Sequence, residues 1–227
     1  MNWTQMLPVT LLLATGARGE GLPALLQRVA GAYGAEKKLL AVRSVRETGT
    51  VTSERGDGTV VRAFEPPLRL SVEIHRSAAG SSEVRVLDGS RGARDGQAVF
   101  GPPLDAMVLQ AVRLDLPAAL LRHRDRLRDL GEIERAGKKL RSIGLPLEGG
   151  KAIAVGVEVG TARIVYSEGA VGTIRFATAY SDFRRVDGLL FAFQEGNFAE
   201  GVKTADTHLA RIEVNQALPP DTFQLDR

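Results

Sequence analysis

The sequence predicts a mainly β protein (α+β) built on an antiparallel sheet with one packed face, and three observations predict it. From Val45 the apolar period changes from 3.6 to 2, most clearly where Leu68, Leu70, Val72 and Ile74 alternate with Arg69, Ser71, Glu73 and His75. Such alternation marks a sheet with one apolar and one solvated side. Two amphipathic helical stretches stand between two runs of strands. Acid–glycine pairs (Asp88-Gly89, Glu168-Gly169, Asp187-Gly188, Glu200-Gly201) recur as hairpin punctuation.

Taken in order, Leu22 to Val42 has helical spacing, with Leu22, Leu25, Leu26, Val29, Tyr33, Leu39 and Leu40 three or four apart and Gly31 and Gly34 interrupting. Strands follow through Glu83-Val-Arg-Val-Leu87, which Asp88-Gly89 closes. Behind Pro102-Pro103, Leu104, Met107, Val108, Ala111 and Val112 form a broad helical stripe. Pro117 opens a second helix, as proline does in a first turn, carrying Leu116, Leu120, Leu121, Leu127 and Leu130 to a stop at Gly131. Strands resume near Glu132. Ile153, Val155, Val157 and Val159 then alternate with Ala152, Ala154, Gly156 and Glu158, and the small residues of the second face imply a close neighbour or tight curvature. Further strands are expected over 162–167, 172–179, 189–198 and 204–214.

The 227 residues are 44% hydrophobic, enough for one domain with a sizeable core. With 30 Lys+Arg against 27 Asp+Glu the surface is mixed, and the clustered basic and aromatic residues of a nucleic-acid interface are missing. The absence of cysteine excludes thiol catalysis, Cys-ligated zinc and a lipid-modified N-terminal cysteine. Met6 to Ala14 is apolar and is followed by Thr15, Gly16 and Ala17, which reads as a signal-peptide core with cleavage near Ala17. The stretch is shorter than the ~20 apolar residues that cross a bilayer, and its leader lacks Lys and Arg. The expected division is therefore 1–17 as signal peptide and 18–227 as one domain, exported to the periplasm.

Catalytic and metal motifs are absent from the sequence. His75, His123 and His208 lack metal-ligand spacing, no G-x-S-x-G elbow exists, and Glu132 with Glu134 is a weak carboxylate pair. Gly149-Gly150-Lys151 lacks P-loop spacing, and Gly156-Val-Glu-Val-Gly160 is a strand end. Arg122 to Asp129 interleaves acids with bases, as in a solvated helix face with local ion pairs.

Three stretches carry a resemblance. They are Tyr180-Ser-Asp-Phe-Arg-Arg-Val-Asp-Gly-Leu-Leu-Phe191 with Gly201-Val-Lys-Thr and Ile212-Glu-Val-Asn-Gln-Ala-Leu-Pro-Pro-Asp-Thr-Phe223, the helix-to-strand run Tyr33 to Val51, and the turn Leu87-Asp-Gly-Ser-Arg-Gly-Ala-Arg94. In their order along the chain they resemble the periplasmic lipoprotein-carrier superfamily (LolA/LolB-like, lipoprotein-sorting proteins). Ala93 stands where that superfamily has tryptophan, and Ala192 where it has proline. The resemblance implies a strongly curved, half-open antiparallel β-barrel, with the N-terminal helix and the two inserted helices covering the concave face. It also implies a non-catalytic, monomeric carrier without cofactor or metal. Its ligand would be lipidic: acyl chains or an acylated protein, exchanged with an inner- or outer-membrane protein partner. The alternatives are an envelope sensor or protein-interaction module on the same fold and, from the enzyme class, an unrecognised hydrolase.

Between such a sheet and its helices an acyl chain would gain ~0.8 kcal/mol per buried CH₂. The expected lining from the sheet is Leu70, Val72, Ile74, Val84, Val86, Val155, Val157, Ile174, Phe176, Phe191 and Phe193. From the helices come Met107, Val108, Val112, Leu116 and Leu120. Sequence alone leaves open whether these residues line a cavity or fill a core.

Overall fold

The computed structural model describes residues 20–77, 80 and 82–227, so the expected signal peptide lies outside the described residues. Two helices, α1 (Leu22–Tyr33) and α2 (Glu36–Leu40), precede six strands: β1 (Val45–Ser53), β2 (Gly58–Glu65), β3 (Arg69–Arg76), β4 (Ser82–Asp88), β5 (Arg91–Arg94) and β6 (Gln97–Val99). Helices α3 (Pro102–Leu114) and α4 (Leu116–Arg122) come next. Seven more strands follow: β7 (Arg128–Arg135), β8 (Lys138–Pro146), β9 (Ala152–Glu158), β10 (Ile164–Val171), β11 (Ile174–Val186), β12 (Leu189–Ala199) and β13 (Val202–Val214). All thirteen strands form one antiparallel sheet, ordered β6-β5-β4-β3-β2-β1-β13-β12-β11-β10-β9-β8-β7.

That order is two meanders joined by a single seam, β1 against β13. Nine residue pairs make the seam, from Val45↔Val214 to Ser53↔Ala205. A bulge between Thr48 and Gly49 puts one extra residue on β13, which changes the phase of that strand. Leu209 on one side of the bulge and Ile212 and Val214 on the other therefore all reach the same core. Asn215 locks the end of the seam: its Oδ1 accepts the Arg43 amide at 2.7 Å, and its own amide donates to the Ser44 carbonyl at 2.8 Å.

The seam also determines where the helices lie. β6 and β7 are the two edges of the sheet, so the chain between them crosses from one edge to the other, and α3 and α4 occupy that crossing. Helix α3 touches β3, β4 and β5 on one side and β10 on the other. Seven strand spacings separate β4 from β10, about 34 Å if the sheet were flat. A helix only ~10–12 Å across touches both because the sheet curls around it. The result is a half-open barrel with a concave face, as expected. The fit is close over Gly169 of β10, where a Cβ would sit 3.2 Å from the Ala152 carbonyl and 3.3 Å from Leu109 of α3, and over Gly92 of β5, where it would sit 2.8 Å from Leu104 of α3. Among the described residues no helix is long and apolar enough to cross a membrane.

Some expectations are corrected. Glu168-Gly169 is strand interior and not a turn: the close fit of α3 explains its glycine, and the turn falls at Gly172. The second inserted helix stops at Arg122. Leu127 is already extended, Gly131 lies in β7 with its amide bonded to Asp129 at 3.0 Å, and Leu130 is exposed. β8 offers a ladder from Arg128↔Gly144 to Arg135↔Lys138, and strand pairing there wins over further helix. The charged run thus spans the end of α4, a 3-10 turn at Arg124–Arg126 and the start of β7. Its ion pairs are Arg122 with Asp115, Arg124 with Glu36 and Arg141 with Asp129.

The seam makes a stability prediction. A Cβ on Gly49 would lie 2.1 Å from the His208 carbonyl oxygen, a clash with backbone that only separation of β1 from β13 relieves. Gly49→Ala should cost roughly 3 kcal/mol. Gly31→Ala on the exposed face of α1, where a methyl meets open space, should instead gain about 0.5–1 kcal/mol. Urea-denaturation midpoints of the two variants check both signs.

Candidate ligand-binding interior

The concave side is divided by α3 into parts of different character. Toward α1, α2 and α4 it is a packed core: Leu120, Val155, Val157 and Phe193 are buried there among Leu25, Val29, Ile143 and Leu145. Leu70 and Met107 are buried in a second cluster with Phe64 and Leu87. Beside α3 the packing opens into a cavity of about 520 Å³, to which Val72, Ile74 and Phe176 contribute. A separate groove, also about 520 Å³, runs outside α3 past Val108 and Val112 to Pro67 and Lys151. Leu116 and Phe191 border a small pocket of about 80 Å³.

Three expected lining residues lie elsewhere. Val84 and Val86 face the convex side, since Arg85 and Leu87 are the β4 residues that pair with Val72 and Leu70 of the concave face. There Val84 and Val86 meet Ala63, Leu218, Phe223 and Leu225, and the C-terminal segment covers them. Ile174 begins β11 and is exposed. The small residues opposite Val155 do have a close neighbour: Leu140 and Tyr166 lie 3.1 and 3.3 Å from where a Gly156 Cβ would be.

What the sequence reading missed is the polar furniture of the cavity. Arg62 of β2, between Val60 and Phe64 in the concave phase, donates from Nη1 and Nη2 to Glu195 of β12 at 2.7 and 2.9 Å. Its Nε also lies 2.7 Å from Glu47 of β1, but that contact is misaligned, leaving Glu47 Oε2 and Arg62 Nε without a hydrogen bond among the described residues. All three residues are buried. Burial, reinforced by Glu195, holds the Glu47 carboxyl above its usual range against the pull of Arg62. Burial alone would lower the Arg62 pKa, but the two carboxylates overcome it and keep the guanidinium charged.

Further along the cavity, Arg113 of α3 donates to Thr178 Oγ1 at 3.3 Å, and Thr178 donates to Asn197 at 3.1 Å. Arg85 donates to Gln110 of α3 at 2.9 Å. Burial lowers the pKa of both Arg85 and Arg113. Tyr180, hydroxyl to hydroxyl with Ser167 at 2.8 Å, is pushed up to about 12 by burial. The one signal of this cluster in the sequence is charge on the apolar phase of an alternating strand: Glu47 in step with Val45 and Val51, Arg62 with Val60, Glu195 with Phe193.

No carboxylate–histidine constellation suited to nucleophilic catalysis accompanies these groups, and the described residues hold no cluster of three metal-ligand side chains. His75 and His208 are exposed on strands and His123 is half-buried just beyond α4. Glu132 and Glu134 are exposed on β7. What the interior can do chemically is hold a molecule with an apolar part and a charged part.

No protein-family profile matches the chain, and no curated protein matches it. Solved structures do. The chain is similar to a LolA superfamily protein of Nitrosomonas europaea, with TM-score 0.57 and 9% identity over 90% of this chain and 98% of that one. It is similar to a domain ascribed to outer membrane lipoprotein sorting from Vibrio parahaemolyticus, with TM-score 0.52 and 10% identity over 91% and 98%. A DUF1329 family protein of Desulfovibrio piger gives TM-score 0.52 and 11% identity over 89% and 97%. The chain therefore has the fold of the LolA superfamily.

The buried triad makes a pH prediction. Arg62→Met strands Glu47 and Glu195 without a counter-charge, and breaking a buried pair costs about 3–5 kcal/mol. The Glu47 carboxyl, which burial already raises, then loses the pull of Arg62, so the folded state binds more protons and stability falls as pH rises. The deficit of the variant should be largest at pH 7 and shrink as the pH is lowered toward the ordinary glutamate value of 4.5. Urea titrations between those pH values, compared with the unsubstituted protein, measure it.

Proposed function

We propose that this protein is a periplasmic, non-catalytic carrier or binding protein that holds a lipidic ligand between the concave sheet and helix α3. The observation that carries the reading is the cavity of about 520 Å³ left beside α3, against a pocket of about 80 Å³ left by the core of the same face toward α4. Its volume falls within the ~300–1,000 Å³ of small-molecule sites. Val51, Val60, Val72 and Ile74 from β1–β3, Leu109 from α3 and Phe176 from β11 give it apolar walls, on which each buried CH₂ contributes about 0.8 kcal/mol. The LolA superfamily fold supports the reading, because a neighbour of that fold is ascribed to lipoprotein sorting. The ligand is an acyl chain, free or attached to a protein, and export through residues 1–17 brings the carrier to it.

Native mass spectrometry of the protein isolated from its own periplasmic fraction, with lipid extraction alongside, tests the proposal. A co-purifying acyl species is expected; a clean protein mass that persists after incubation with lipids and lipopeptides overturns it in favour of a protein-interaction module. Substitution separates cavity from core. Phe176→Glu, on a half-buried cavity wall, should weaken acyl binding at least tenfold (about 1.4 kcal/mol) and leave a cooperative unfolding transition. Val155→Asp, in the fully buried core, should abolish that transition.

A further inference from the structure

We propose that the cavity beside α3 is specific for amphiphiles with an anionic head group, whose acidic oxygens are taken by Arg113 and Arg85. This rests on the reading of the cavity as a lipid site and names the chemistry of its ligand. Five arginines (Arg55, Arg62, Arg76, Arg85, Arg113) line the cavity against three glutamates (Glu54, Glu83, Glu195), and adding Glu47 behind Arg62 still leaves positive charge in excess.

The excess has an address. Arg62 is neutralised by ion pairs with Glu47 and Glu195. Glu83, in contrast, is shared by three guanidiniums: Arg85 at 3.2 Å, Arg94 at 3.2 Å and Arg76 at 3.7 Å. Arg85 Nε is the atom that faces Glu83 at 3.2 Å; it is buried and makes no aligned hydrogen bond among the described residues. Arg113 makes no ion pair within 4.0 Å among the described residues, and its one side-chain hydrogen bond is to the Thr178 hydroxyl. Both arginines are half-buried, and a cation partly withdrawn from water is stabilised when a counter-charge arrives. Both side chains border Gln110, Arg85 through its hydrogen bond and Arg113 one helical turn along α3, so they meet on the same stretch of cavity wall. Guanidinium forks suit carboxylate and phosphate oxygens, and the apolar residues beside them receive the chain.

Isothermal titration with four probes below their micellar concentrations tests this. Dodecanoate and dodecyl phosphate share the anionic head and an apolar tail, dodecyl maltoside keeps the tail with an uncharged head, and inorganic phosphate is a head alone. Both anionic amphiphiles should bind at least about tenfold more tightly than the maltoside, as charge-assisted hydrogen bonds provide, and phosphate alone should bind weakly. Arg113→Gln should bring the anionic amphiphiles to the maltoside level without changing maltoside affinity, while Arg113→Lys keeps most of the preference. Because Arg113 holds no carboxylate, the Gln variant should unfold at the same urea midpoint. If that midpoint falls, the anionic preference of the unsubstituted protein must instead weaken as salt is raised, and salt-insensitive binding overturns the proposal. Equal binding of maltoside and dodecanoate, unmoved by Arg113→Gln, overturns the head-group inference and leaves the lipid reading standing. No binding of any amphiphile, or phosphate binding as tightly as dodecyl phosphate, overturns the lipid reading itself.

Discussion

The ladder between β1 and β13 is the constraint on which the rest of the structure depends. It joins two meanders into one sheet of thirteen strands and brings the beginning and end of the domain together at the sheet centre. By doing so it sends the middle of the chain to the two edges, and the link between those edges has to cross the sheet. The crossing is helical because Pro102-Pro103 and Pro117 start helices there. The same ladder explains local features that otherwise look unrelated: the bare Gly49, the bulge beside it, and the side chain of Asn215 bonded to the strand across the seam.

A sheet wrapped around one helix cannot be packed equally along its length. Where α1 and α2 support α4, four helices and the sheet share one core, which leaves a pocket of about 80 Å³. Where α3 lies alone, its single face cannot fill the curve, and a cavity remains. Charged residues occupy part of that space. The Arg62–Glu47–Glu195 triad ties three strands, β2, β1 and β12, on both sides of the seam. Buried ion pairs of this type rarely add net stability over an apolar replacement. What the triad adds is a charged, buried cluster next to the apolar walls of the cavity.

The resemblance motifs acquire physical roles in this frame. In Tyr180–Phe191, Asp182 has positive φ and its carboxylate takes Arg184 at 3.0 and 2.5 Å, which holds an irregular residue within β11. Asp187-Gly188 is the two-residue turn, both residues at positive φ, that reverses β11 into β12. Asn215 closes the seam. Each is a backbone device, so these motifs report fold and carry no information about what the cavity holds.

The sequence by itself determined the mainly antiparallel fold, the two inserted helices with their proline starts, the order of the hairpins and, through the motifs, the half-open barrel. These follow from local periodicity and turn chemistry, which act between residues close in the chain. It also supplied the cavity residues Val72, Ile74 and Phe176, though not the means to tell them from Val155 and Val157 in the solid core. Only the tertiary structure decided that Val84 and Val86 lie beneath the C-terminal segment, that Gly169 sits beneath Leu109, and that Arg62, Arg85 and Arg113 share one interior. The physical reason is that burial and charge pairing depend on which strands and helices meet across the sheet. In this fold those partners lie far apart in sequence, as Arg62 and Glu195 do, and the β1–β13 seam alone brings them together.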